Sequence, residues 1–213
     1  MKPRHWPLYG LRIRTPRLEL RLPELELLDE LASVAADGVH SADTMPFTVP
    51  WTDCPPAERG RAVFQHVLSS VANWQVRDWS LSLAVLHEGR VVGRQDLMAT
   101  DFAVTGEVGT GSWLGLAHQG RGIGTEMRAA VLHLAFAGLG AGAAVSTAMT
   151  DNPRSLGVSR RLGYLPDGLT VAALRKDRVT LQRLRLEHAR WEEHRSVEVT
   201  VEGLDGCRAM FGA

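Results

Sequence analysis

Cysteine is scarce in this chain of 213 residues: Cys54 and Cys207 are the only two, far apart in sequence. Two distant cysteines exclude a disulfide framework and a cysteine zinc site, and free thiols suit a reducing compartment. Net charge is missing as well, because Lys+Arg and Asp+Glu balance at 24 each. A balanced chain has no general field for nucleic acid, although Lys2–Arg21 and Arg175–Arg185 are locally basic. No apolar run approaches the roughly 20 residues of a membrane span, and no leader pattern opens the chain, so no membrane association and a cytoplasmic location are expected. The eight histidines lack metal-ligand spacing, so no metal is expected. Internal repeats and low-complexity linkers are absent. The length is most simply one domain, 1–190, with an extension, 191–213.

What is present alternates between strand and helix patterns. Arg17–Leu22 alternates apolar and charged residues and reads as a strand that Pro23 ends; Glu24–Val34 is helical. Residues 37–57 carry Pro46, Pro50, Pro55 and Pro56 and read as a long loop. An amphipathic helix over 57–76 precedes strands at 80–86 and 91–99, joined by the hairpin signal His87-Glu-Gly-Arg90. A strand over 107–117 leads to a central helix over 122–137, then a strand at 143–149. A helix at 153–161 and strands near 168–174 and 178–187 complete the core. Val197-Glu-Val-Thr-Val201 alternates like an added strand, for the sheet edge or for another subunit, which leaves a homodimer open.

The strand-to-helix junction at His118-Gln-Gly-Arg-Gly-Ile-Gly-Thr-Glu-Met127 is the most informative segment. Glycines at 120, 122 and 124 permit a tight turn and close approach of an anion to the backbone. Ile123, Met127, Ala130, Val131 and Leu134 recur at helical spacing, so the turn opens a helix whose bare N–H groups suit a pyrophosphate. The Walker loop, with its lysine, and the Gly-x-Gly-x-x-Gly dinucleotide fingerprint are both absent.

The spacing Gln119-x-x-Gly122-x-Gly124 resembles the coenzyme A pyrophosphate loop of the GNAT N-acetyltransferase superfamily. Asn152-Pro-Arg-Ser155, running on to Leu162-Gly163-Tyr164, resembles the segment that flanks the pantetheine arm in that superfamily. Local physics agrees, with Asp151 or Asn152 as helix cap, Pro153 in the first turn and Gly163 at the end. The resemblance covers roughly residues 12–190 and is nearest the RimL/RimJ-type branch, which acetylates ribosomal-protein N-termini. It implies an α/β fold with a mixed, mostly antiparallel sheet flanked by helices, here with an extra C-terminal strand. It also implies acetyl-CoA, or another acyl-CoA, as cofactor, and an amine acceptor that is a small molecule or a protein N-terminus. Residues expected at the cofactor are Trp113, Leu114, Leu116, Gln119, Gly120, Arg121, Gly122, Ile123, Gly124, Thr125, Asn152, Ser155 and Arg160.

Acyl transfer from a thioester to an amine needs an unprotonated amine, a polarised carbonyl and a neutralised leaving thiolate. The resemblance places the carbonyl against a backbone N–H near Leu114–Leu116. It makes Ser155 the proton donor to sulfur, with Ser159 standing where many members have a tyrosine. Thr147 and Leu174 stand where members carry a glutamate base. Glu107 shares an alternating face with Gly109, Gly111 and Trp113 and is the candidate base; Asp96 and Asp101 rank below it. The segment Ser41–Asp53 corresponds to the acceptor wall of similar folds, where Asp43 and Asp53 would hold a cationic amine and Phe47 and Trp51 its apolar body. A succinyl-CoA transferase and a non-catalytic acyl-CoA-binding module are the competing readings.

Overall fold

A computed structural model describes residues 3–213. In chain order the elements are β1 (Arg12–Arg14), β2 (Leu18–Arg21), α1 (Leu25–Asp37), α2 (Pro56–Ala72), β3 (Asp78–His87), β4 (Arg90–Thr100), the single turn α3 (Phe102–Thr105), β5 (Glu107–Leu114), α4 (Ile123–His133), β6 (Ala143–Met149), α5 (Pro153–Arg161), β7 (Leu165–Leu174), β8 (Asp177–Glu187), α6 (His188–His194) and β9 (Thr200–Glu202). The strands form one sheet in the order β7-β8-β6-β5-β4-β3-β2-β1-β9. This is the mixed, mostly antiparallel sheet expected of the fold.

Period-two alternation sorts the core into two layers. Leu81, Leu83, Leu97, Val108 and Leu114 meet Ile123, Met127 and Val131 of α4 on one face. Ala84, Leu86, Val91 and Trp113 meet Leu28 and Leu31 of α1 and Val63 and Val67 of α2 on the other. These are called the α4 face and the α1/α2 face below.

The site depends on the one parallel pair among the described residues. β5 and β6 pair only at Glu107–Ala143, Val108–Ala144 and Gly109–Val145. Beyond those pairs, Thr110–Leu114 and Ser146–Met149 diverge and leave an open wedge. Both sides of it are braced: β5 pairs with β4 as far as Leu114, and β6 pairs with β8 along its whole length.

Several boundaries differ from the sequence reading. β1 was not anticipated, because three residues alternate too briefly to signal a strand. The helix expected over 57–76 stops at Ala72, and the central helix leaves α geometry for a wide turn over Leu134–Gly138. In the tail, β9 pairs with β1 at the sheet edge of the same chain. Trp191 of α6 stacks on Phe136 at 5.0 Å between centroids. Phe211 is fully buried against Trp74 and Trp79, whose indole N–H groups donate to Met210 O (3.0 Å) and Phe211 O (3.1 Å). These two tryptophans therefore belong to the core. No helix of the described residues is long and apolar enough to cross a membrane.

Candidate active site

The glycine turn has the geometry of an anion nest. Gly120 and Gly122 take φ of +76° and +77°, the left-handed region where a side chain is strained. Among the described residues, the N–H groups of Gly120, Arg121, Gly122, Ile123 and Gly124 meet no acceptor. Five adjacent donors at a helix N-terminus, with its partial positive charge, suit a pyrophosphate. Ile123, 1% exposed, anchors this end of α4 in the core. Thr125 lies half-buried in the first turn, its N–H donating to Gly122 O at 3.1 Å.

Gln119 braces the turn instead of facing a ligand. Its amide donates to Val39 O (2.7 Å) and Leu114 O (3.0 Å) and accepts from Arg154 Nη1 (3.1 Å). One side chain thus ties the turn to β5, to the end of α1 and to α5. Sequence reasoning missed a second brace. Glu126, 7% exposed, accepts from Thr15 Oγ1 (2.6 Å), the Arg17 backbone N–H (3.2 Å), Arg17 Nε (2.6 Å) and Arg17 Nη2 (2.5 Å). Arg17 Nη1 in turn donates to Arg121 O at 3.1 Å and holds the turn from outside. No sequence signal pairs residues so far apart.

The wedge offers backbone donors. Gly115 donates to Val92 O and Leu116 to Gly38 O, both at 2.9 Å, so neither N–H is free. Gly111 and Trp113 are paired opposite Asp96 and Arg94 in the same register. Strand alternation then turns the Ser112 and Leu114 N–H groups towards the open side of the wedge. Trp113 is 5% exposed and packs its ring at 5.9 Å from that of Trp51, on the α1/α2 face. Leu116 is a largely exposed side chain beside the turn.

α5 begins as expected. Asn152 Oδ1 accepts from the Ser155 N–H at 3.0 Å, which identifies Asn152 as the cap, with Pro153 behind it. Ser155 is half-buried, and its hydroxyl makes no hydrogen bond among the described residues. Its carbonyl accepts from Ser159 Oγ at 3.2 Å. Arg160 is exposed in the last turn. Glu107 lies at the closed end of the wedge and forms an ion pair with Arg185 of β8. Thr147 is exposed on β6, and Leu174 is buried with Met149 and Leu181.

The loop 41–53 lies on the α1/α2 face and spans the mouth of the wedge. Phe47 and Trp51 carry a chain of rings to Trp113 on β5, while Met45 packs on the cluster of Met149, at the end of β6. Asp53 is tied to Arg175 in the β7–β8 turn (2.5 and 2.6 Å), which lowers its carboxyl pKa. Asp43 is exposed, and hydrogen bonds from Ser41 and its own backbone lower its pKa.

On the same face Asp96 stands opposite Gly111, and a Cβ on Gly111 would lie 3.5 Å from Asp96 Oδ2. Arg94 Nη2 pairs with that oxygen at 3.0 Å, while Oδ1 is buried without a partner. His66 of α2 is disfavoured as a cation by burial and by Arg94, against a smaller opposing effect of Asp96. Asp96 thus flanks β5 on the α1/α2 face, and Asp101 is occupied by Arg77 at 2.8 Å.

The acetyltransferase (GNAT) domain family matches residues 17–165. Among solved structures, the chain is similar to Mycobacterium smegmatis RimJ in complex with CoA-disulfide, at a TM-score of 0.69 and 15% identity, with 95% of each chain covered. It is similar to a GCN5-related N-acetyltransferase from Brucella melitensis, at a TM-score of 0.68 and 22% identity, covering 95% of this chain and 85% of that one. It is also similar to the microcin C7 self-immunity acetyltransferase MccE in complex with acetyl-CoA and AMP, at 0.60 and 16%, covering 81% and 93%. At these identities the likeness shows the fold alone. The family match spans most of the sequence, and with it the chain belongs to the GNAT acetyltransferase family and is an acyl-CoA-dependent N-acetyltransferase.

Proposed function

We propose that this N-acetyltransferase takes its acetyl group from acetyl-CoA and passes it to a primary amine, a protein N-terminus or a small amine, by direct attack on the thioester. The observation that carries this reading is the juxtaposition of a five-donor glycine nest with the open wedge between β5 and β6. The backbone of the 119–125 turn holds the pyrophosphate, with the Gln119 side chain bracing it; Asn152 and α5 flank the pantetheine arm, and Arg160 lies at its outer edge. The acyl thioester supplies the activated carbonyl when bound. The Leu114 N–H polarises it, because this donor points into the wedge while Gly115 and Leu116 are already engaged.

In this reading Ser155 donates the proton to the departing sulfur; its unengaged hydroxyl supports that role. Glu107, the base expected from sequence, lies seven residues from Leu114 along β5, roughly 23 Å away, and is ion-paired with Arg185, so it does not reach the amine, whose proton leaves by way of solvent. Loop 41–53 walls the acceptor site, with Asp43 and Asp53 favouring a cation and Phe47 and Trp51 its apolar neighbour. Asn-Pro-Arg-Ser155 and the likeness to RimJ support a place near the RimL/RimJ-type branch, working in a reducing cytoplasm.

The test is direct. Purified protein is given acetyl-CoA and a panel of peptides with free N-termini, polyamines and small primary amines, and thiol release is followed with mass analysis of the acceptor. Transfer to an amine nitrogen is expected. Tight acetyl-CoA binding with neither transfer nor hydrolysis across the panel would refute it in favour of a non-catalytic module, and transfer only from succinyl-CoA would refute the choice of donor.

A further inference from the structure

Arg128 of α4 is an unusual residue for the inside of a domain. It is 6% exposed, and among the described residues no carboxylate lies within ion-pair reach of it. Its partners are neutral: Nη1 donates to Ser159 Oγ at 2.9 Å, and Nη2 reaches Ser112 Oγ at a long 3.4 Å. Its Nε has no acceptor. Thr110 Oγ1 and Tyr164 OH are buried on the same side, facing each other with no further partner among the described residues. A desolvated guanidinium without an anion is costly, and burial lowers its pKa. Such a group is stabilised by any anion that reaches it.

Its position says which anion. Thr110 and Ser112 lie on β5 beyond the last pair with β6, so the guanidinium stands at the wedge. Val108 and Leu114, in phase with them, face α4, so Thr110 and Ser112 do too. The glycine nest opens the same helix, one turn before Arg128. A coenzyme A arm that starts at the nest therefore enters the wedge from the α4 face. The acceptor loop and the Asp96 row lie on the opposite face. The sulfur is then on Arg128's side of the wedge, and the acyl carbon is presented to the other.

We infer that Arg128 is the counter-charge for the thiolate that leaves the acyl carbon. This rests on the proposed acyl-CoA reaction. As the amine nitrogen bonds to the acyl carbon, the carbon–sulfur bond breaks and its electron pair stays on sulfur. The guanidinium holds that charge through Nη2, while Ser159 keeps Nη1 in place. The proton lost from the amine nitrogen finally returns to sulfur by way of solvent or Ser155. An arginine cannot serve as the acid itself, since it stays protonated. Among the described residues, Tyr164 is the one titratable group that faces the guanidinium; α5 contributes Ser159, and β5 contributes Thr110 and Ser112.

The test needs no acceptor. The thiol of bound coenzyme A is titrated by its ultraviolet thiolate absorbance, with desulfo-coenzyme A as the blank that cancels protein thiols and tyrosines. In the unaltered protein it should titrate at least about one pH unit below free coenzyme A. Arg128→Met should return it to the free value, and Arg128→Lys should keep part of the shift. A bound thiol that titrates at or above the free value overturns the proposal, and this measurement decides even if Arg128→Met does not fold. An unchanged shift in a folded Arg128→Met also overturns it. A tenfold preference for binding succinyl-CoA over acetyl-CoA that Arg128→Met abolishes would assign the cation to an acyl carboxylate, and would overturn it as well. Failure to bind coenzyme A at all would instead overturn the proposed function.

Discussion

Glu126→Ala should separate the two roles of the first turn of α4, fold stability and cofactor binding. The carboxylate accepts four hydrogen bonds, three of them from Arg17, in a nearly closed setting. Breaking a buried ion pair by removing one partner costs about 3–5 kcal/mol. Here the Arg17 side chain is 45% exposed and regains water when released, so the loss is nearer the lower end, about 2–3 kcal/mol. For a chain of this size that corresponds to a fall in Tm of roughly 4–12 °C. Arg17→Ala removes only the guanidinium contacts and should cost about 1 kcal/mol, while the backbone and Thr15 bonds to Glu126 persist. Both substitutions free the Arg121 carbonyl that Arg17 holds, so both should weaken coenzyme A binding by severalfold. Denaturant unfolding gives the stability change and calorimetric titration gives the affinity. A loss below about 1 kcal/mol for Glu126→Ala, or equal losses for the two variants, would refute this account of the brace.

Gly122→Ala should weaken coenzyme A binding strongly, because φ of +77° strains any side chain there. Gly124→Ala should bind normally, since its Cβ would meet only Leu114 and Val158 at 3.8 and 3.9 Å; calorimetry on both checks this. Ser155→Ala should lower kcat by roughly a hundredfold with little change in acetyl-CoA affinity, as a proton donor acts chiefly in the transition state; steady-state kinetics and equilibrium binding read the two separately. Replacing Asp43 and Asp53 together by asparagine should raise the acceptor KM by about twofold to fivefold at unchanged coenzyme A affinity, the modest factor reflecting exposed carboxylates; an unchanged KM would remove them from the site. Burial pushes the Cys207 thiol up to about 11, so native protein should react with a thiol reagent at one cysteine, Cys54, at pH 8. Because this raised value favours the neutral thiol, its share of stability is full below the ordinary 9.0 and is lost as pH rises through about 11, which alkaline unfolding curves would register.

The turn at 118–127 was legible because its causes are local. Glycine alone tolerates the positive φ at 120 and 122, and the helical spacing of Ile123, Met127 and Val131 follows directly. The same holds for Asn152, which caps the helix directly behind it through the Ser155 N–H three residues on. The tail was only half legible. Residues 188–194 carry no apolar stripe long enough to announce a helix, and Trp191 is buried only because Phe136 is there to receive it. Asp96 and Glu107 show the limit for acidic residues. By sequence Glu107 ranks above Asp96 as candidate base, but their settings differ because Asp96 faces a bare Gly111 while Glu107 meets Arg185 from another strand.

By itself, then, the sequence determined the α/β class, the anion nest and the capped helix behind it. Each rests on backbone preferences within a few residues, and those preferences survive whatever the rest of the chain does. Tertiary structure alone decided the wedge, the brace of Arg17 on Glu126, the docking of the tail and the counter-ion-free burial of Arg128. These depend on which strand lies beside β5, where its pairing ends and what covers each face. Such choices are made by contacts between residues tens to more than a hundred positions apart, which no local pattern encodes.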